Sequence, residues 1–110
     1  MKDAIELIRE ERERQKNVEG WTPEHDDEHT NGELANAASC YAMTEDERET
    51  VLSIYFCAQG RHFNNREDKP LSWPWAKMWW KPTPNDRIKE LVKAGALIVA
   101  EIERLQRMEK

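Results

Sequence analysis

The sequence predicts an all-α protein, a small bundle of three to four helices with a Trp-rich loop, folded as one helical domain over residues 1–110. Three observations carry that expectation. Helix-start signals occur four times, at Thr22-Pro23, Thr30 to Glu33, Thr44 to Glu47 and Thr83-Pro84. Apolar residues from Ile88 to Leu105 recur at spacings of three and four, the period of a helix. The length of 110 residues fits one domain, with no internal repeat or linker to divide it. A domain this small buries about two thirds of the surface its unfolded chain exposes. With 38% hydrophobic against 35% charged residues, the apolar side chains must gather on a few faces.

The first element runs from Asp3 to about Lys16, free of Gly and Pro. Its apolar residues (Ala4, Ile5, Leu7, Ile8) stop after two turns, and Arg9 to Lys16 is almost wholly charged. A helix that outlasts its apolar stripe projects into solvent, pairs with another subunit or lines a polar site. Gly20 breaks the pattern. Thr22 caps one or two turns over Pro23 to His29, with Pro23 in the first helical position. Thr30 and Glu33 have the spacing of a capping box, which opens a helix to about Met43. Leu34, Ala35, Ala37, Ala38, Tyr41 and Ala42 on that helix let a neighbour approach closely.

Thr44 to Glu47 repeats the box, with acids in the first turn where the helix dipole favours them. Val51, Leu52, Tyr55 and Phe56 fall on one helical face, a short strand being the alternative, and Gly60 ends the element. Arg61 to Pro70 is polar and reads as a mobile loop. Leu71 to Lys81 is aromatic and proline-punctuated, with room for a single turn around Ala76 to Trp79. Thr83, with Pro84 in the first position, starts the last and longest helix. Gly95 inside it costs about 1 kcal/mol relative to Ala and points to a close helix crossing.

Charge and composition exclude several classes. The formal charge is −5, and no basic block is present to neutralise phosphates, so duplex nucleic acid is not an expected partner. No apolar run approaches 18 residues, so no membrane span is expected. The chain begins with charges rather than an apolar leader, which makes the cytoplasm the expected compartment. Cys40 and Cys57 sit in apolar, helix-like runs and read as reduced core residues. No glycine-rich phosphate loop is present.

The densest chemistry lies in Glu24-His25-Asp26-Asp27-Glu28-His29, followed by Glu33. On a helix, His25, His29 and Glu33 share one face, an arrangement that suits zinc. A magnesium site asks instead for several carboxylate oxygens and bound waters, which Asp26, Asp27, Glu28 and Glu33 can supply, with His29 beside them. In that reading Asp26, Asp27 and Glu33 are the catalytic acids and Mg²⁺ the cofactor. The structural alternatives are that Glu33 closes a capping box, that the aspartates are solvated, and that the histidines hydrogen-bond locally. Trp73, Trp75, Trp79 and Trp80 either stack a nucleobase, with Lys77 and Lys81 at hand for phosphate, or fill the core. Trp21, beside the acidic cluster, is the tryptophan most readily assigned to a site.

Several segments resemble small phage- and prophage-encoded helical proteins: ERERQ at Glu11 to Gln15, EGWTPEHDDEH at Glu19 to His29, GELANAA at Gly32 to Ala38, then WPW, WWKP and LVKAGALIVAEIERL. A more distant resemblance is to the MazG-like all-α nucleoside triphosphate pyrophosphohydrolases, through Arg12 to Gln15, Trp21, His25, Gly32-Glu33 and Glu90-Leu91 in that order. That resemblance implies Mg²⁺, cleavage between the α and β phosphates, and a homo-oligomer. His29 and Thr30 replace the paired acids of that family, and Lys93 replaces its second metal-binding acid. The expectation is a nucleotide-binding protein with a degenerate metal site and ligand contacts from Arg12, Trp21, His25, Trp79 and Lys81. The alternatives are a magnesium-dependent pyrophosphohydrolase or a module that docks on a host protein. Self-association is expected through the alanine face of the helix from Gly32 to Met43.

Overall fold

The chain is helical in the computed structural model, with no strand among the described residues, which are 1–50, 68–70 and 72–109. Helix α1 spans Ala4–Asn17, α2 Pro23–Asp26 and α3 Glu33–Ala42. Helix α4 is described over residues 45–50, a 3₁₀ turn covers Lys77–Trp79, and α5 spans Arg87–Met108. The expected helical face of Val51 to Phe56, Cys57, the stop at Gly60 and most of the polar segment after it lie outside the described residues. No helix among the described residues is long and apolar enough to cross a membrane.

Local chemistry accounts for the helix starts. Asp3 accepts a hydrogen bond from the Glu6 N–H at 2.9 Å, Thr22 from the His25 N–H at 3.3 Å, and Thr44 from the Glu47 N–H at 3.1 Å. Two starts differ from the sequence expectation. Helix α3 is capped by Gly32 at φ +81°, a conformation that favours glycine, so Thr30 is not its cap. Glu33 still turns back, but onto the Asn31 N–H at 2.6 Å. Helix α5 starts after Asp86, whose carboxylate accepts from the Lys89 N–H, rather than after Thr83. Asn85 at φ 69° interrupts the helical path between Pro84 and Arg87, which moves the start downstream.

The core lies between α3 and α5. Leu34, Ala37, Ala38 and Tyr41 meet Ala94, Leu97 and Ala100, with Trp73 and Trp80 buried beside them. The small side chains of α3 therefore serve a contact inside the chain. Ala37 and Ala38 face this contact, whereas Ala35 and Ala42 are exposed. Cys40 is a free, buried thiol in the same cluster. Helix α1 crosses α5 at Gly95, where an added Cβ would stand 2.7 Å from Ile8 Cδ1. The close crossing read from that glycine is present.

The carbonyls at the end of α3 have no partners within the helix, and two arginines take them. Arg48 donates to the Cys40 and Met43 carbonyls at 2.8 Å, and Arg87 to those of Tyr41, Ala42 and Met43. Glu90, fully buried, accepts from Arg48, Arg87 and the Thr83 N–H. Helix α5 thus buries Glu90, Lys93 and Arg104 along with its alanines, while Ile88, Leu91, Ile98, Ile102 and Leu105 are between 44% and 68% exposed.

Candidate functional site

Capped by Thr22 and started by Pro23, the short helix α2 turns Asp26 into the protein and leaves its neighbours at the surface. Asp26 is completely buried, and its Oδ2 accepts a 2.6 Å hydrogen bond from Arg12 Nη2 on α1. Burial pushes the Asp26 carboxyl above the usual aspartate range, and the adjacent guanidinium opposes that shift. Arg12 also donates to the Trp21 carbonyl at 3.2 Å and to Glu103 at 3.3 Å. All three of its nitrogens are taken up by the chain, so Arg12 organises the loop that carries Trp21.

The remaining acids do not converge on Asp26. Asp27 is exposed and paired with Arg107 at 2.7 Å. Glu28 is exposed. Glu33 lies 3.4 Å from His29 Nδ1, and hydrogen bonds to its carboxylate hold its pKa below the usual glutamate range. Among the described residues no three His, Cys, Asp or Glu side chains are grouped to hold a metal ion. The donor set does not fit Mg²⁺ as arranged, because a guanidinium stands where Asp26 would meet the ion. Glu90, the acid shared with the MazG-like pattern, lies 17 residues (107 − 90) along α5 from Arg107, the partner of Asp27. At 1.5 Å per residue that is about 25 Å, too far for one ion.

The aromatic residues do converge. Trp21, His25, His29, Trp75 and Trp79, with Glu19, line a cleft of about 450 Å³. The rings form a continuous chain: His25 against His29 with centroids at 4.8 Å, His29 against Trp75 at 5.2 Å, and Trp75 against Trp21 at 5.7 Å. With its Nδ1 turned to Glu33, His29 leaves Nε2 buried and without a hydrogen-bond partner, as is His25 Nδ1. Lys81 stands at the rim, its Nζ 5.6 Å from the Trp79 ring centroid and 3.8 Å from Glu19.

Of the ligand contacts expected from the sequence, Trp21, His25 and Trp79 share this cleft, with Lys81 at its edge, while Arg12 serves the scaffold. The tryptophan cluster divides between core and cleft: Trp73 and Trp80 are 2% and 6% exposed, whereas Trp75 and Trp79 border the cleft. His29, expected beside a metal, belongs to the aromatic wall, and Glu19 was missed. Its position before Gly20 offers no periodicity or motif that would mark it. No family model, curated protein or solved structure matches this chain.

Proposed function

We propose that the protein binds a small planar heteroaromatic ligand of the nucleotide class, without turning it over. The observation that supports this reading is the cleft of about 450 Å³ walled by three indoles and two imidazoles, within the range of small-molecule sites. Every nucleobase offers a π face, and stacking on an aromatic side chain contributes about 1–3 kcal/mol per base. Lys81, whose Nζ lies 5.6 Å from the Trp79 ring centroid, offers a cation beside the cleft for a single phosphate. Asp26, Asp27 and Glu33, the catalytic acids of the hydrolytic reading, have their own partners, and that supports binding over cleavage.

Calorimetric titration with nucleosides, nucleoside monophosphates and nucleoside triphosphates tests the proposal. Saturable binding by at least one nucleotide is expected, weakened about tenfold or more by Trp79→Ala, with no release of pyrophosphate from triphosphates in Mg²⁺. Binding by none of them would overturn the nucleotide reading. Pyrophosphate release would restore the enzymatic one.

A further inference from the structure

Glu19 is the one carboxylate in the wall of the cleft, and its side chain is only 12% exposed. Its two oxygens differ. Oε1 accepts from Arg14 Nη1 at 3.0 Å, and Arg14 is itself held by Glu11 at 2.8 Å. Lys81 Nζ lies 3.8 Å from Oε2, beyond hydrogen-bond reach, and no other donor among the described residues meets that oxygen. The other polar groups of the wall do not duplicate it. Indoles only donate, and the imidazole atoms without partners, His25 Nδ1 and His29 Nε2, are buried. Glu19 is therefore the fixed acceptor of the cleft, since an ionised carboxylate accepts and never donates.

We propose that the base bound in the cleft is guanine, recognised by Glu19 through its N1–H and its 2-amino group. This rests on the nucleotide reading above and names the base. Guanine alone among the common bases sets two N–H donors side by side on one edge, a match for the two oxygens of one carboxylate. Oε1 keeps a lone pair beside the one that Arg14 uses, so both oxygens can serve. Adenine and cytosine place a ring-nitrogen lone pair next to their amino group, so a carboxylate there attracts one atom and repels its neighbour. Uracil offers a single N–H between two carbonyls. The cations around Glu19 leave the contact open. Arg14 is shared with Glu11, and Lys93 Nζ donates to the Lys81 carbonyl at 2.7 Å. Lys81 is 55% exposed, and its flexible stem lets the ammonium move from beside Glu19 to a phosphate.

Calorimetric titration of the full chain with nucleoside monophosphates tests the choice of base, and most of its arms change the ligand rather than the protein. Guanosine monophosphate is expected to bind at least tenfold more tightly than the adenosine, cytidine and uridine forms. Inosine monophosphate keeps N1–H but lacks the 2-amino group, and is expected to fall between guanosine and adenosine. The 1-methylguanosine form, which has lost N1–H, is expected to bind at least tenfold more weakly than guanosine. Glu19→Gln is expected to bring guanosine monophosphate down to the level of adenosine monophosphate, with circular dichroism reporting that the variant is folded. Binding by no nucleotide would overturn this proposal together with the nucleotide reading. Another base bound as tightly as guanine, undiminished binding of the 1-methyl form, or a folded Glu19→Gln variant that keeps the preference would overturn the proposal alone.

Discussion

Arg12 and Asp26 set the geometry around the site without entering it. Both are buried and in contact at 2.6 Å, so removing either charge leaves the other uncompensated away from water. Asp26→Asn is therefore expected to lower stability by about 3–5 kcal/mol in urea denaturation. A loss under 1 kcal/mol would mean that water reaches the pair. Tyr41 gives a second test at this scale. Burial raises its phenol to about 12, although the Lys81 N–H donates to its oxygen and partly offsets the shift. A raised acid favours its neutral form in the folded state. The stabilisation is complete below the usual tyrosine value near 10 and is lost as pH rises through about 12. At about 1.4 kcal/mol per pKa unit, up to about 3 kcal/mol is at stake. Absorbance titration of Tyr55→Phe, which keeps one phenol, is expected to show ionisation near 12. Ionisation near 10 would place Tyr41 in water.

Helix starts and one helix crossing decide what the elements contribute. Thr22 and Thr44 accept hydrogen bonds from helical N–H groups, whereas Thr30 does not cap α3. Thr44→Ala is expected to cost about 1 kcal/mol and Thr30→Ala close to nothing, measured by thermal unfolding. Equal losses would contradict the assigned caps. At the α1–α5 crossing, Gly95→Ala gains about 1 kcal/mol of helix propensity but meets Ile8. The gain is expected in full only when combined with Ile8→Ala, a coupling of at least 0.5 kcal/mol in a double-mutant cycle. Additive effects would separate the two helices.

Elements were legible wherever a local signal decides them. Thr22 and Thr44 mark their helices by themselves, and Gly95 announces its crossing. The starts of α3 and α5 were misread because two signals compete within a few residues: Gly32 overrides Thr30, and Asp86 with the turned backbone of Asn85 overrides Thr83-Pro84. The face of α5 was harder to read. Its regular three-four stripe is the strongest periodic signal in the chain, yet the buried face is built of alanines and the paired charges Glu90 and Arg104. Burial of Glu90 depends on Arg48 and Arg87, residues distant in sequence, and no pattern within one helix can announce such partners.

In the whole molecule, the acid cluster disperses and the tryptophans gather, the reverse of their spacing in the sequence. Six polar residues in a row looked like a convergent site, but a four-residue helix aims them in different directions, one inward to Arg12 and one outward to Arg107. The tryptophans, dispersed over 60 residues (80 − 20 from Trp21 to Trp80 inclusive), came together because the loop from Ser72 to Trp80 lies over α3 and against the Trp21 turn. The central claim is that three of the five indoles face a ligand and two do not. Each tryptophan gives one indole N–H resonance, so a ¹H–¹⁵N titration with a nucleoside monophosphate reads all five at once. The account predicts that Trp21, Trp75 and Trp79 shift while Trp73 and Trp80 stay in place. Five unmoved resonances, or movement confined to Trp73 and Trp80, would contradict it.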